Sequence, residues 1–286
     1  MPGPAEPVVV SPTSLAEALQ LLAAADGLRP IAGGTDLMVQ ITGEIGPPPE
    51  RILDIWRLDE LRGISLEDGQ LHIGALATYT QIRNSELVLQ HVPALAECAS
   101  TIGAAQIQNR GTIGGNIANA SPAGDTLPVL LATDAEIVLS STSGERQVAA
   151  SEFWPSYRVT ALRADELVVG VRIPLPAGRQ VRFRKVGTRR AQAISKVVMA
   201  LAWREDGGVW RDVRLALGSV APTPVRVRET ERVLEGAAPR ETTANHAAET
   251  LANEIKPIDD VRSTADYRRV VSARILHRML RDAGGW

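Results

Sequence analysis

Two short stretches crowded with glycine limit this chain more than anything else in it. They are Ile31-Ala-Gly-Gly-Thr-Asp-Leu37 and Gly111-Thr-Ile-Gly-Gly-Asn-Ile-Ala-Asn-Ala-Ser-Pro-Ala-Gly-Asp125. Neither spaces its glycines as G-x-G-x-x-G or as G-x-x-x-x-G-K-[ST], so neither a Rossmann nor a P-loop reading is supported. Each still suits an anion. A residue without Cβ lets the backbone lie close to a ligand and take positive φ. Successive N–H groups in such turns point into a concavity that favours negative charge. Thr35, Thr112 and Asn116 would add side-chain donors. Two such loops would grip a diphosphate from both sides; for either loop by itself, a plain turn is the competing reading.

The pattern between and around these loops alternates helices and strands. Ser14-Leu-Ala-Glu17 reads as a capping box, Leu15, Leu19 and Leu22 then share one helical face, and Asp26-Gly27 ends the helix. Strands are predicted over 29–32, 51–56, 71–78, 135–140 and 166–173. Residues 81–100 read as helical with a break near Pro93, 103–124 as a glycine-punctuated connection, and 126–133 as a short helix. The Pro-Leu-Pro-Ala-Gly-Arg run at 174–179 reads as a domain boundary. Beyond it, strands over 181–184, 195–204 and 213–218 precede helices over 228–234, 241–254 and 264–281. The last helix starts at Ser263-Thr-Ala-Asp266 and carries Tyr267, Val271, Ile275 and Met279 at i, i+4 steps. Strands followed by helices predict an α+β layer.

Composition narrows the function classes. A formal net charge of −2 gives no global attraction for nucleic acid or an anionic membrane. One cysteine, Cys98, makes no internal disulfide and by itself holds neither zinc nor an iron–sulfur cluster. It falls in a predicted helix and reads as a buried, inert thiol. His72, His91, His246 and His277 form no ligand-spaced cluster, so no metal site is expected. The first residues lack the basic and apolar regions of a signal peptide, and no run approaches 18 apolar residues. The cytoplasm is the expected location.

The two glycine segments together, Ala32-Gly-Gly-Thr-Asp-Leu37 and Thr112-Ile-Gly-Gly-Asn116 with Ala120-Ser-Pro-Ala-Gly-Asp125, resemble the FAD-binding domain of molybdenum hydroxylases. That family includes xanthine dehydrogenase, aldehyde oxidase and the medium subunit of carbon monoxide dehydrogenase. The resemblance runs nearly the whole length, through Phe153-Trp-Pro-Ser-Tyr157, Glu166-Leu-Val-Val-Gly-Val-Arg-Ile-Pro174, Phe183-Arg-Lys185, Thr188-Arg-Arg190, Ala221-Pro-Thr-Pro-Val225 and Ser263-Thr-Ala-Asp-Tyr-Arg268. The Asn-Ala-Ser-Pro-Ala-Gly-Asp form looks closer to xanthine dehydrogenase than to the carbon monoxide enzyme.

The resemblance implies an α+β architecture: a PCMH-type FAD-binding domain over 1–176, in subdomains of about 1–57 and 58–176, then a C-terminal domain over 177–286 with an antiparallel sheet and helices. It implies that Arg29, Pro30, Ile31, Ala32, Gly33, Gly34, Thr35, Asp36 and Leu37 wrap the FAD diphosphate and approach the isoalloxazine. Ile102 and Gly103 would lie near the adenine. Thr112, Gly115, Asn116 and Asp125, with Gly114 in the same loop, would hold the diphosphate and ribose side. Val168 and Lys185 fall at further flavin-contacting positions. From the residues alone, Lys185 reads as a solvated charge and Asp125 as an N-cap for the helix at Thr126. Asp36 stands where xanthine dehydrogenases commonly carry a longer acid. Ile102 replaces an aromatic of the animal enzymes, and Gln192 replaces an acid close to the flavin. These departures bear on the NAD⁺ half-reaction and on the choice of acceptor.

The implied function is electron transfer. Substrate would be oxidised at a molybdopterin centre on a large partner subunit, electrons would pass through [2Fe–2S] clusters on a small partner subunit, and FAD on this chain would deliver them to NAD⁺ or another acceptor. A dimer of heterotrimers is the implied assembly, and no side chain is assigned a classical catalytic role. Two alternatives stay open: a self-sufficient FAD-dependent oxidoreductase, and a non-redox module that binds adenine nucleotides.

Overall fold

A parallel β-unit forms first in the chain, because an amphipathic helix is available to cross between its strands. In the computed structural model, which describes residues 7–24, 27–43, 47–189 and 192–286, β1 (Val8–Val10), β2 (Leu28–Ile31) and β3 (Arg51–Asp54) make a parallel sheet in the order β1-β3-β2. Helix α1 (Leu15–Ala24) buries Ala18, Leu19 and Leu22 in a core with Leu28, Leu53 and Leu61. Its cap begins one residue early. Ser14 Oγ accepts from the Glu17 N–H at 3.1 Å, but the Glu17 carboxylate returns to the Thr13 N–H at 2.7 Å. Asp26 lies outside the described residues; Gly27 takes φ +76°. Helix α2 (Leu37–Thr42) follows the first glycine loop and buries none of its residues.

The second sheet is antiparallel. β4 (Ile64–Glu67), which the sequence reading did not mark, pairs with β5 (Gln70–Gly74) across Asp68-Gly69, both at positive φ, the backbone a type I′ hairpin turn needs. The strand predicted over 71–78 stops at Gly74 because Thr78 is committed elsewhere. It caps α3 (Tyr79–Asn84) in a reciprocal box with Gln81. The helical stretch predicted over 81–100 breaks at Pro93 as expected, where α5 (Pro93–Thr101) begins, but its first part is two helices, α3 and α4 (Glu86–His91), because Ser85 accepts from the Val88 N–H and restarts the chain as α4. The glycine-punctuated connection holds two more helices, α6 (Ala105–Arg110) and α7 (Ile113–Asn119), ahead of α8 (Thr126–Ala132). β6 (Glu136–Ser141), β7 (Gly144–Ala149), the short α9 (Ala150–Phe153) and β8 (Leu167–Pro174) complete a sheet ordered β4-β5-β8-β6-β7. Cys98 is fully buried in α5, and burial pushes its thiol well above the usual range, so it is a packing residue.

The third sheet, β12-β11-β10-β9, comprises β9 (Gln180–Val186), β10 (Val197–Asp206), β11 (Val209–Gly218) and β12 (Val225–Arg226), all antiparallel. Its central strand is buried on both faces, with a division set by the period of two. Val197, Met199, Leu201 and Trp203 join the core beneath α10 (Arg228–Leu234), α11 (Glu241–Glu254) and α12 (Ala265–Gly284). Val198, Ala200 and Ala202 join the core of the second sheet, where α5 and α8 pack on β9, β10 and β11. The stripe predicted on α12 is rotated. The buried line is Arg268, Ser272, Leu276, Met279 and Leu280, with Tyr267 outside, and Thr264 rather than Ser263 is the N-cap. The rotation follows Arg268, whose guanidinium is drawn inward by Asp260 Oδ1 at 2.7 Å and the Ser219 carbonyl.

Replacing Leu201 by Ala is expected to cost about 2–5 kcal/mol, since it opens a void in the core under α12. Glu205→Ala, on the exposed end of the same strand, is expected to stay within about 0.5 kcal/mol. Urea unfolding midpoints of the two variants check the contrast.

Candidate functional site

The first glycine loop carries unspent hydrogen-bond donors. Strand β2 delivers Ile31 to it, and the Ile31 carbonyl accepts from Ile55 N–H at 3.0 Å. Past that point Gly33, Gly34, Thr35 and Asp36 donate their N–H groups to no acceptor among the described residues. Gly34 sits at φ +75°, which L side chains rarely take. The glycine at 33 has a different cause: a Cβ there would lie 1.7 Å from the Arg110 carbonyl oxygen. The backbone at the end of α6 therefore lies directly on this loop. Arg110 also places its guanidinium 3.8 Å from the centre of the Trp56 ring.

The second segment uses its donors internally. It is the first turn of α7, not an open turn. Thr112 caps the helix, accepting from the Gly115 N–H at 3.1 Å, while Ile113 and Gly114 donate to the Ala77 and Ala75 carbonyls. Gly114 is glycine because a Cβ would meet Ala75 at 2.7 Å; Gly115 meets nothing but its own cap and faces open space. Asn116 Oδ1 accepts from the Thr126 hydroxyl, which leaves its Nδ2 without an acceptor among the described residues.

Two contiguous clefts run past these loops, one of about 630 Å³ and one of about 970 Å³. The smaller is lined by Arg29, Pro30, Ile31, Ala32, Gly33, Gly34, Thr35, Asp36 and Leu37, by Ile102, by Thr112, Gly114, Gly115 and Asn116, and by Val168. Val168 lies at a bulge in β8, where the register against β6 slips between Val138 and Leu139. The larger cleft separates the second sheet's helices from the third sheet. It is lined by Gly103, Asp125 and Lys185 and shares Asp36, Ile102 and Asn116 with the smaller. Every residue assigned from the sequence thus lines one cleft or the other.

Asp125 and Lys185 differ from their simplest readings. The Asp125 side chain makes no cap bond to α8. It is buried, with Oδ2 at 2.6 Å from Lys185 Nζ and Oδ1 accepting from the Ser195 hydroxyl. Lys185 is no solvated charge: its ammonium also donates to the Thr101 carbonyl at 3.1 Å. Burial pushes the Asp125 carboxyl above its usual value, against the opposing pull of Lys185 and Ser195. The α7–α8 loop and strand β9 are joined by this pair across the wide cleft.

Sequence reasoning missed several lining residues. Asp36 Oδ1 accepts from Asn119 Nδ2 at 3.2 Å, and Asn119 Oδ1 accepts from Arg158 at 3.3 Å, a chain spanning the seam where the clefts meet. Arg158 holds φ +53°, unusual for a residue with a side chain. Arg268 and Tyr79 also line the clefts. Arg268 closes the Ser263–Arg268 segment that carries part of the resemblance, but no site role was drawn from it, and Tyr79 was hidden behind the capping residue Thr78. Gln192, at φ +53°, lines the wide cleft; Arg190 lies outside the described residues.

Comparison with known proteins gives a consistent picture. Residues 5–176 match the family described as FAD binding domain in molybdopterin dehydrogenase, and residues 182–283 match the CO dehydrogenase flavoprotein C-terminal domain. The chain is 37% identical to the glyceraldehyde dehydrogenase medium chain of Sulfolobus acidocaldarius, over 94% of this chain and 95% of that one. It is 32% identical to the xanthine dehydrogenase FAD-binding subunit of Escherichia coli O157:H7, over 95% of each. A carbon monoxide dehydrogenase structure from Hydrogenophaga pseudoflava superimposes with a TM-score of 0.91 at 32% identity, over 96% of each chain. The equal identities to the xanthine and carbon monoxide relatives do not favour one over the other.

Two outcomes are expected. Gly33→Ala will force the loop off Arg110 and lower stability by about 1–3 kcal/mol, read as a lower unfolding midpoint. Lys185→Met will strand the Asp125 carboxylate, at a cost of about 3–5 kcal/mol at pH 8. An acid whose carboxyl is raised in the folded state loses stability as pH rises above its ordinary value. Removing the lysine steepens that loss, so the deficit should narrow as the pH of the unfolding series is lowered towards 5.

Proposed function

The chain belongs to the FAD-binding, medium-subunit flavoproteins of the molybdenum hydroxylases, and we propose that it relays electrons from [2Fe–2S] clusters on a small partner subunit, through FAD, to NAD⁺ or another acceptor. The organic substrate is then oxidised at molybdopterin on a large partner subunit, and the working form is a dimer of heterotrimers in the cytoplasm. The single observation that carries the reading is the set of unspent N–H groups at Gly33, Gly34, Thr35 and Asp36, in a glycine loop that lines a cleft of about 630 Å³.

The residues fit FAD on chemical grounds. Unpaired backbone donors and a free amide at Asn116 suit a diphosphate, whose oxygens accept several bonds at once. Arg29 to Leu37 form the wall around it, with Thr112, Gly114 and Gly115 opposite. Gly115 leaves room because it carries no side chain towards the cleft. Ile102, Gly103 and Val168 offer apolar or backbone surface for ring systems. The Asp125–Lys185 pair places a fixed dipole on the wall of the wide cleft, where it would orient a polar ring edge. Bound FAD supplies the exchange between one-electron donors and a two-electron acceptor, a conversion no side chain performs. The chain's part is to bind, orient and exclude water. In this reading 1–176 is the cofactor-binding unit, with subdomains of about 1–57 and 58–176, and 177–286 closes the wide cleft.

The test is a visible spectrum of the native complex with denaturing-gel bands beside it. The expected result is flavin absorbance overlaid by iron–sulfur absorbance, with two further bands. Flavin with turnover in this single band would replace the relay by a self-sufficient oxidoreductase. A colourless chain that takes up no added FAD would overturn the reading.

A further inference from the structure

Tyr79 stands at the start of α3 with its ring held in place. Its N–H donates to the Gly111 carbonyl at 3.2 Å, and the ring lies against Gly111, where a Cβ would come within 2.8 Å of Cε2. A Cβ at Gly111 would also meet the Ile107 carbonyl oxygen at 2.9 Å, so glycine there leaves room for both the ring and the end of α6. The side chain is 4% exposed and lines the smaller cleft. Its hydroxyl has no hydrogen-bond partner among the described residues. Among the described residues, the unsatisfied side-chain atoms sealed from solvent are Arg179 Nε, Arg268 Nε and Ser272 Oγ, and Tyr79 Oη is not one of them. The hydroxyl is therefore not fully sealed from solvent, and the smaller cleft is the opening that Tyr79 lines. A phenol almost wholly buried in protein normally finds a partner, because an unmade hydrogen bond forfeits the full cost of desolvation. No described residue supplies that partner, and the cleft is the opening that Tyr79 lines.

We propose that Tyr79 Oη donates a hydrogen bond to an acceptor atom of the dinucleotide bound in the smaller cleft, as a cofactor-binding residue fixed in place before the ligand arrives. The inference rests on the FAD reading. Burial, with the nearby Cys98 and Asp125 adding to it, pushes the phenol far above its ordinary value, so the group remains an O–H donor throughout the working pH range. Because the ring is already held by Gly111 and α3, little rotamer freedom is lost on binding. The acceptor belongs either to the adenosine diphosphate half of the cofactor or to the flavin half.

Tyr79→Phe removes the oxygen and keeps the ring. The full chain, stripped of cofactor, is titrated with FAD, with ADP and with FMN, and its unfolding midpoint is measured without ligand. The variant should bind FAD roughly three- to tenfold more weakly. Its ligand-free midpoint should be unchanged or higher, since an unpaired buried hydroxyl has been removed. Weakening confined to ADP assigns the acceptor to the nucleotide half; weakening confined to FMN assigns it to the flavin half. Equal FAD affinity in the two proteins overturns the proposal, as does a lower ligand-free midpoint, which would make the hydroxyl a part of the fold. Failure of the unmodified chain to bind FAD would remove the functional reading, and this inference with it.

Discussion

No side chain fits between Gly33 and the carbonyl of Arg110, and the binding surface of this protein is arranged around that contact. It sets the loop after β2 on the C-terminal end of α6, so two segments nearly eighty residues apart in sequence form one wall. Arg110 reinforces the contact by covering Trp56, whose own N–H is held by Asp54 at the end of β3. Once the loop is fixed from behind, its amides are free in front. Backbone groups in a folded interior are normally paired, and a run of unpaired N–H groups facing a cleft marks a place prepared for an anion.

The two glycine segments look alike in sequence and do different work. In the first, Gly34 provides a left-handed conformation and the donors remain available. In the second, Thr112 and the carbonyls of Ala75 and Ala77 take up the donors, and Gly114 is there to let α7 lie on Ala75. The second segment offers shape and one side-chain amide; the first offers backbone donors. The asymmetry has a simple origin. A helix end packed into a core must satisfy its first-turn amides locally, whereas a loop at the rim of a sheet is under no such demand.

The wide cleft exists because β10 is buried on both faces. One face, with Met199, Leu201 and Trp203, builds the C-terminal core; the other, with Val198, Ala200 and Ala202, lies on the helices of the second sheet. Small residues on the second face let α5 and α8 come close. The sheet is thereby welded to the rest of the chain, and its edge strand β9 carries Lys185 to Asp125. A buried ion pair of this kind contributes little net stability, since desolvation offsets most of the attraction, yet breaking it is costly. Its value is positional: it holds the α7–α8 loop, β9 and Ser195 in one geometry on the cleft wall.

Much of this was legible in the residues. Local rules located α1, β2, β3, α10 and α11, because each depends on its own periodicity. The family resemblance carried the glycine-loop residues that line the clefts, since glycine spacing is a direct imprint of backbone shape. Reasoning from local signals failed where one residue's role was taken by a distant one. Ser85 restarted a helix that looked continuous, and Asp125, next to a helix start, turned to a lysine sixty positions on. On α12, Arg268 entered the buried stripe in place of Tyr267. The sequence by itself determined the class of fold and the two glycine loops, because these rest on conformational freedom and short-range spacing. The tertiary structure alone decided which amides stay unspent, which glycines serve packing, and that the Tyr79 hydroxyl beside the cleft has no partner among the described residues. Each of those depends on what a remote segment places within a few ångströms, and no local pattern records that.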